Sequence, residues 1–452
     1  MRPTLFFLCM AIAAFTLLQS CIEDGVTTSP SDRPQFSTDT LKLGTVWTDT
    51  PSPTCRFTVY NPHDKILNLS RVSFRDDPYN AFRLNVDGTA GREITDVEVR
   101  PNDSIFVFVE ATLPPTGVPQ SVAVTSHIDF LVNGQISTVA VTADACDLKR
   151  LKAAVITSDT TFTAEYPIGV TDSLVVMSGA TLTLEPGVRL LFHDKATMTV
   201  RGTLVALGSP DRRIDMTGDR TGSVVASIPY DIMSNQWGGL RFAAGSTGNM
   251  LHFTTVRNSA YGVMLDSLAT LDMRGAILRN AASYPLLAVA AEVTAAGCEI
   301  AEGGDGVIAL SGGSYRFDHC TVANHYLFSV IGGPAIQMDL RQGTPSQLKA
   351  RFTNTIIYGL GDDLAKVSLK DMDVTFARCI LKSSGTDDDN FVRCLWDTDP
   401  LYLLDRSRYI FDYHVKEGSP AEGEAMASEF APVLSPDGQN VDGMIGAWGT
   451  GR

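Results

Sequence analysis

Between about Asn249 and Asn324 the apolar and polar positions of the chain repeat with a period of 22 residues. Each repeat contains an apolar run that begins with a small side chain and ends at a turn. The runs begin at Thr254, Ala276, Cys298 and Cys320, and two looser copies begin at Thr355 and Cys379. A fixed period of this length is typical of a solenoid, because each unit buries its apolar face only against the next unit.

Two columns of apolar residues appear when the repeats are placed one above the other. Stacked strands lie about 4.8 Å apart, so equal positions of successive repeats contact each other. We expect one inward column of Leu251, Met273, Ala295, Phe317, Phe352 and Phe376. We expect a second inward column of Val256, Leu278, Ile300, Val322, Ile357 and Leu381. A further short strand recurs at 262–264, 284–286, 306–308 and 328–330, so the pattern predicts two strands in each coil.

The chain outside this repeat shows other patterns. Residues 36–147 form about seven short runs of alternating side chains, with a hairpin signal at Asn133-Gly134, which predicts an antiparallel β-sandwich. From residue 150, short β runs broken by Gly and Pro are too short for helices, so we assign 150–395 to the solenoid. We assign 396–452 to a cap, because the last coil of a solenoid exposes apolar surface.

The N-terminus carries a targeting segment and not a part of the fold. Arg2 precedes an apolar stretch from Leu5 to Leu18, which is too short to span a membrane as a helix. We therefore predict a signal peptide over residues 1–20. Residues 21–35 are rich in Ser, Thr and Pro, which is typical of a flexible tether.

The end of this segment, Leu18-Gln19-Ser20-Cys21, resembles a bacterial lipobox, in which the cysteine is lipidated and becomes the first residue of the mature protein. The acidic residues that follow resemble the surface-export signal of Bacteroidetes lipoproteins. The alternative is an ordinary signal peptide with a chance cysteine. The stretch 39–46, together with Tyr60-Asn61-Pro62, resembles the N-terminal Ig-like domain of such lipoproteins. These resemblances imply a lipid anchor at Cys21 in the outer membrane and exposure at the cell surface.

Other segments of the sequence resemble those of right-handed parallel β-helix proteins with the pectin lyase-like fold. The runs between Ser173 and Gly208 are similar to their opening coils, and Asp399–Tyr402 with Gly418–Ala421 is similar to their terminal segment. The implied fold class is all-β, with an antiparallel sandwich followed by a right-handed parallel β-helix of about 22-residue coils. Such proteins serve as lyases, hydrolases, adhesins and scaffolds, so the fold leaves the function open.

Charge and cysteine content narrow the function classes. The formal net charge of −15 lacks the basic footprint that nucleic acid requires, so we expect no nucleic-acid partner. No CxxC pair occurs, which argues against a zinc site. Cys298, Cys320 and Cys379 share a repeat position with Thr and Ala, so we interpret them as small buried thiols. A disulfide between Cys55 and Cys146 stays open.

Candidate chemistry lies on the outward positions of the repeat. If Leu251 and its equivalents point inward, alternate residues point outward. The outward charged set is His252, Asp272, Arg274, Arg316 and Asp318. In a uronate lyase, His252 or Arg274 would be the base and Arg316 the carboxylate partner. The alternative is a solvated face with weak ion pairs.

Two other clusters of polar residues indicate a structural role or a metal site. Asn258, Asn280 and Asn324 share one turn position, interrupted by Glu302, and resemble the asparagine ladder of pectate lyase-like β-helices, in which amides bond along the stack. The acidic run Asp387, Asp388, Asp389 is the one candidate for Ca²⁺, although such a run is more often a solvated turn. We otherwise expect no cofactor.

Three functional hypotheses remain from the sequence. The first is a non-catalytic surface protein that binds a polysaccharide or a host surface. The second is a polysaccharide lyase or glycoside hydrolase, and the third is a purely structural surface protein. The scarcity of acidic residues on the outward face favours the first.

Overall fold

The computed structural model describes residues 25–77, 79–225, 228–338, 348–365, 369 and 373–451. The predicted signal peptide, Cys21 and residues 339–347 lie outside this range. The chain divides into one compact unit that ends at Cys146 and a second that begins at Asp147. Within the described range, no helix has the length and apolar character that crossing a membrane would require.

The first unit consists of two five-stranded sheets. Its strands are β1 (Gln35–Phe36), β2 (Thr40–Trp47), β3 (Cys55–Tyr60), β4 (Leu67–Asp76), β5 (Phe82–Val86), β6 (Thr89–Gly91), β7 (Glu93–Val99), β8 (Ser104–Ala111), β9 (Val122–Val132) and β10 (Gln135–Cys146). The sheet orders are β1-β3-β8-β5-β6 and β2-β10-β9-β4-β7. All pairs are antiparallel except β2 with β10. The predicted hairpin is confirmed, since Asn133 and Gly134 join β9 to β10 with φ of 47° and 74°.

The second unit is a stack of parallel coils. Its strands are β11 (Lys149–Ile156), β12 (Thr160–Phe162), β13 (Ile168–Val176), β14 (Thr181–Leu184), β15 (Arg189–Phe192), β16 (Thr197–Val200), β17 (Thr203–Leu207), β18 (Ile214–Gly218), β19 (Ser223–Val225), β20 (Ile228–Pro229), β21 (Gly239–Phe242), β22 (Asn249–His252), β23 (Thr254–Arg257), β24 (Val263–Leu265), β25 (Thr270–Arg274), β26 (Ile277–Ala281), β27 (Leu286–Val289), β28 (Glu292–Ala296), β29 (Glu299–Gly303), β30 (Ile308–Ser311), β31 (Ser314–Asp318), β32 (Thr321–Asn324), β33 (Ile336–Met338), β34 (Lys349–Thr353), β35 (Ile356–Gly359), β36 (Asp373–Ala377), β37 (Ile380–Leu381) and β38 (Phe391–Val392). Two single 3₁₀ turns, Tyr230–Ile232 and Arg406–Arg408, accompany them.

These strands form three faces that run the length of the stack. Face A is the ten-stranded sheet β12-β14-β17-β22-β25-β28-β31-β34-β36-β38. Face B comprises β15-β18-β23-β26-β29-β32-β35-β37, and face C comprises β16-β21-β24-β27-β30-β33. Faces B and C join through β13, whose first half pairs with β15 and whose second half pairs with β16. The predicted fold class, a sandwich followed by a right-handed parallel β-helix, is confirmed.

The four coils from β22 to β33 have three strands each, where the repeat pattern indicated two. The run that contains Leu251 and Val256 is bent at Phe253, whose φ of 45° lies in the left-handed region. Equivalent residues at 275, 297, 319, 354 and 378 also have positive φ, so each coil turns the same corner. The predicted strand at 328–330 is wrong: that segment belongs to a loop, and β33 occupies the position at Ile336.

The two predicted inward columns are confirmed. Leu251 pairs in register with Met273, and the column continues without a break to Phe376 and then Phe391. Phe317, Phe352 and Phe376 stack with ring centroids 4.8 Å apart and are almost fully buried. The second column, from Val256 to Leu381, is equally buried. Equal positions therefore pack against each other along the axis.

The interpretation of three cysteines as small buried thiols is also confirmed, and the structure shows which groups the turn asparagines bond. Cys298, Cys320 and Cys379 are free thiols with no exposed surface. Cys55 is also a free thiol, so the bridge to Cys146 that the sequence left open does not form. The Asn258 amide donates to the carbonyls of Asp231 and Met233, and not to another asparagine. These residues fix turns, but they do not form the expected ladder of amides.

Residues 396–451, which we call the strap, begin over the last coil and then pack along the outside of face B. The strap places Tyr413, Val415, Ile445, Ala447 and Trp448 against outward apolar residues of face B, which are Ile277, Ala301, Ala323, Ile356 and Ile380. The first residue of the strap, Trp396, packs on Phe391 of the last coil, with ring centroids 4.8 Å apart. Most of the strap covers face B because the outward side of that face is itself apolar.

Candidate functional site

The outward residues predicted on face A form two separate groups. Within β22 and β25 the alternation of buried and accessible residues is the one expected from the sequence. In β31 Arg316 is exposed as expected, but Asp318, which was expected to be accessible, is buried. Asp272 and Arg316 are two coils apart, because both pair with Thr294 of the intervening strand β28. Two coils correspond to about 10 Å. The five candidates therefore do not converge on a single point.

The first group is a chain of His252, Asp272 and Arg274. The Oδ2 atom of Asp272 lies 2.7 Å from Nε2 of His252, and its Oδ1 lies 2.9 Å from a terminal nitrogen of Arg274. Burial opposes ionisation of Asp272, but hydrogen bonds from His252 and Arg274 outweigh it, so the pKa of Asp272 lies below its ordinary value. The Arg274 guanidinium lies 4.4 Å from the ring centroid of Phe430 in the strap. Arg274 is thus occupied on both sides and is poorly placed to act as a base.

The second group is centred on Asp318, which is buried. Its Oδ1 lies 2.6 Å from Nδ1 of His319 and accepts a hydrogen bond from the Asn354 amide at 3.3 Å. Its Oδ2 accepts a hydrogen bond of 2.6 Å from the hydroxyl of Ser428 in the strap. Asn354 in turn bonds the main chain of Met426 in both directions. Asp318 therefore fastens the strap to the corner between faces A and B.

Beside this fastening lies a cleft of about 320 Å³. It is lined by Arg316, Phe317, Asp318, Arg351, Thr353, Glu429 and Phe430. Arg316 and Arg351 are in register on adjacent coils. Arg316 pairs with Glu429 at 2.9 Å and is half exposed, and Arg351 donates to the main-chain carbonyl of Asp373 at 2.9 Å. The strap completes this cleft, since Glu429 and Phe430 form one wall.

Such a lining can hold a polar ligand. Guanidinium groups donate hydrogen bonds and carboxylates accept them, so the cleft offers both to a molecule with many hydroxyl groups. Phe430 adds an apolar ring at the edge of the cleft. A concave surface with a few placed polar groups is the usual form of a small-molecule site.

Two carboxylates of the acidic run at 387–389 accept hydrogen bonds from nearby main-chain N–H groups. Asp387 accepts hydrogen bonds from the N–H groups of Arg393 and Cys394 and from the Trp396 indole. Asp388 accepts the N–H groups of Asn390 and Phe391. These contacts are those of a turn. Within the described ranges, no three His, Cys, Asp or Glu residues are arranged to hold a metal ion.

A buried acidic cluster lies beneath the strap. Glu302 accepts hydrogen bonds from the Tyr413 hydroxyl and from the His325 N–H, and the Trp448 indole donates to Glu299 at 3.0 Å. Burial raises the pKa of Glu302 to about 8, and burial lowers the pKa of His325 to about 4. The cluster is closed to solvent, so it acts on the attachment of the strap and not on a ligand.

Sequence reasoning missed several residues of the cleft. Arg351 and Thr353 flank Phe352 as Arg316 and Asp318 flank Phe317, so the inward column could have located them despite the insertion between the coils. Glu429 and Phe430 carry no periodic signal, because they belong to the aperiodic strap. Their place follows only from the path of the strap across face A.

Comparisons with known proteins give partial likenesses. No family model matches the chain. Protein bark beetle of Drosophila melanogaster is 31% identical over 134 residues, which are 29% of this chain and 4% of that protein. The crystal structure of a protein of unknown function from Porphyromonas gingivalis W83 aligns with a TM-score of 0.20 and 14% identity, covering 28% of this chain and 50% of that chain. The chain thus spans a small part of the curated relative that it matches.

Proposed function

We propose that this protein is a surface lipoprotein that binds carbohydrate without cleaving it. In this proposal the lipid at Cys21 anchors the chain in the outer membrane, and the first unit is an Ig-like spacer. The second unit, a β-helix of the pectin lyase-like kind, presents the cleft beside the strap. The ligand is a polysaccharide of the cell's surroundings or of a host surface.

The observation that supports the proposal is the lining of the cleft. The exposed side chains of Arg316, Arg351 and Glu429 bring guanidinium donors and a carboxylate acceptor to one cleft, and Phe430 provides a ring against which the apolar face of a sugar can pack. Arg316 and Arg351 lie on registered strands of face A, so little ordering of these two groups is needed when a ligand binds. The cleft contains Arg316 and Asp318, two of the residues that the repeat pattern singled out.

The state of the carboxylates favours binding over catalysis. Hydrolysis of a glycosidic bond uses two carboxyl groups that face the bond from opposite sides. Both oxygens of Asp318 already accept hydrogen bonds within the protein, and Glu429 is paired with Arg316. Neither group is directed at a ligand in the way that an acid or a nucleophile requires.

The proposed binding is tested by replacing Arg351 with alanine. The variant removes a half-exposed donor from the cleft wall, so its affinity for the bound polysaccharide is expected to fall about tenfold, as for the loss of a hydrogen bond from a charged group. The measurement is a glycan array with the detergent-solubilised full chain, followed by calorimetry on the ligand that binds.

Arg241→Ala is the matched control. Arg241 is also half exposed and paired with an aspartate, Asp266 at 2.8 Å, but it lies on face C. Its loss is expected to leave affinity unchanged. An equal loss in both variants, or no binding to any glycan by the wild type, would overturn the proposed site.

The alternative of a polysaccharide lyase or hydrolase draws on one observation, which is that Asp318 and Glu429 line the same cleft. Incubation with acidic and neutral polysaccharides would reveal unsaturated products or new reducing ends. Turnover that disappears in Glu429→Gln but persists in Arg241→Ala would establish the alternative. Binding without turnover supports the first proposal.

The proposed anchor predicts a result in cells. Cys21→Ser is expected to abolish incorporation of labelled fatty acid and to release the protein from the membrane fraction, because no acyl chain then holds it. Labelling and fractionation of the exporting bacterium measure both effects. Unchanged labelling of the variant would exclude the lipobox assignment.

A further inference from the structure

Two pairs of cysteines occupy successive coils in one inward column. Cys298 and Cys320 are neighbours, because Glu299 and Thr321 pair in register directly after them. Cys379 and Cys394 are neighbours, because Ile380 and Leu395 form a parallel bridge directly after them. Coils are spaced by about 4.8 Å, which is within the range of Cα separations that a disulfide can join. The main chain joins each pair of coils at this position, since the Thr321 N–H donates to the Cys298 carbonyl at 2.9 Å and the Leu395 N–H donates to the Cys379 carbonyl at 2.8 Å.

The two pairs differ in their access to solvent. Cys298 and Cys320 have no exposed surface and lie in the middle of the stack. Cys379 is also fully buried, but Cys394 is only partly buried because it belongs to the last described coil. A reagent in solution can therefore meet Cys394 without unfolding the stack.

A cross-link would stabilise the stack most at its end. The last strand, β38, pairs with β36 over two residues and has no strand on its other side. In a solenoid each coil is held only by its neighbours, so the terminal coil opens first. The hydrogen bonds of Asp387 and the ring of Trp396 hold the turn that brings Cys394 over Cys379.

We propose that Cys379 and Cys394 form an oxidisable dithiol, which closes into a disulfide that ties the last coil to the stack. The co-reactant is a disulfide, either a small molecule such as oxidised glutathione or a thiol–disulfide oxidoreductase. This inference is independent of the proposed carbohydrate binding, since neither cysteine lines the cleft.

The reaction is an ordinary thiol–disulfide exchange in two steps. The Cys394 thiol loses its proton to water, and its Sγ attacks one sulfur of the oxidant, which releases one thiolate and leaves a mixed disulfide. The Cys379 thiol then loses its proton, and its Sγ attacks Sγ of Cys394, which releases the second thiolate. The two cysteines are oxidised by two electrons, and the co-reactant is reduced to two thiols.

The electrostatics fit this order of steps. The hydrogen bond from Cys379 lowers the pKa of Cys394, whereas burial raises the pKa of Cys379 well above its ordinary value. The attacking thiol is therefore the more acidic and more accessible one, and the resolving thiol is the sheltered one.

The test is oxidation of the full chain, purified under reducing conditions, with oxidised glutathione. Trypsin should place Cys379 in the peptide 379–382 and Cys394 in the peptide 394–406, because basic residues precede and end both. We expect these peptides to be joined by a disulfide. Cys298 and Cys320 should remain thiols that are alkylated only after denaturation. The thermal midpoint of the second unit should rise by several degrees, as closing a loop of about 15 residues predicts.

Cys394→Ser and Cys298→Ser are the paired controls. Cys394→Ser should lose the joined peptides and the rise in thermal midpoint, whereas Cys298→Ser should keep both. The proposal is overturned if Cys394 of the wild type remains a thiol or stops at the glutathione mixed disulfide. It is also overturned if Cys298 and Cys320 oxidise as readily, because accessibility then does not select the pair. The wild-type peptide map decides the matter even if a variant fails to fold.

Discussion

Between pH 6.5 and pH 8 the free energy of unfolding of the second unit is expected to fall by about 2 kcal/mol more in the wild type than in Glu302→Gln. Glu302 is buried beneath the strap, where burial raises its pKa to about 8. The nearby Glu299 carboxyl raises it further, and the hydrogen bond from Tyr413 lowers it. In the unfolded chain the same carboxyl titrates near 4.5.

The sign follows from proton binding. Between pH 4.5 and pH 8 the folded protein holds the Glu302 proton and the unfolded chain does not. The free energy of unfolding therefore falls by about 1.4 kcal/mol for each pH unit in that window. This stability is fully present below pH 4.5 and is lost as the pH rises through about 8.

His325 restricts where the effect can be measured. Burial, together with the charges of Arg406 and Lys382, lowers its pKa to about 4. Stability from neutral His325 is therefore lost as the pH falls from 6.5 to about 4, which opposes the Glu302 effect. Above pH 6.5 His325 is neutral in both states, so Glu302 acts without this opposition.

The measurement is urea unfolding of wild type and Glu302→Gln at several pH values from 6.5 to 8.5. The amide keeps the shape of the carboxyl but does not titrate, so the difference between the two slopes isolates this group. Tyr413→Phe is the companion variant, since it removes the Tyr413 hydrogen bond to Glu302 and should move the wild-type transition to higher pH. Identical slopes for wild type and Glu302→Gln would show that Glu302 is ionised beneath the strap.

Phe352→Ala is expected to destabilise the second unit by about 3–5 kcal/mol, the usual cost of truncating a buried phenylalanine. The Phe352 ring is stacked on both sides, with Phe317 and Phe376 each 4.8 Å away, and it has no exposed surface. Its removal leaves a gap between two rings that are fixed by strand register. The loss is expected to concentrate in the coils from residue 349 onward, since coils are stabilised mainly by their neighbours.

Chemical denaturation and hydrogen exchange measure the size and the place of this loss. Phe391→Ala is the matched control, because Phe391 stacks on one phenylalanine of the same column, Phe376 at 5.0 Å. The control should cost less, because Phe391 is only partly buried, whereas Phe352 has no exposed surface. Equal losses in the two variants, or loss of protection spread evenly over all coils, would contradict the nearest-neighbour description.

Much of the fold could be predicted from local pattern. The period of 22 residues placed Leu251 above Met273 and Val256 above Leu278, and the structure has both pairs in register. The pattern also explained why cysteine, threonine and alanine share a position. It could not show the third strand, because a single left-handed residue such as Phe253 turns the chain without interrupting the alternation.

The candidate site could be predicted only in part. The alternation along β25 and β31 correctly identified which residues point outward, but not what covers them. Arg274 lies under Phe430, and Asp318 is fastened to Ser428. Both partners belong to the strap, which is more than a hundred residues distant in sequence and has no repeat.

The sequence by itself determined the stack, since an apolar column repeated at a fixed spacing can be buried only by placing one coil on the next. It also determined which thiols and which charges share a face. Only the tertiary structure decided where the strap lies and what it covers. The physical reason is that the outward side of face B is apolar over several coils, so the strap is held by burial along that side and not by any local signal in its own sequence. The cleft and the buried Glu302 both depend on that arrangement.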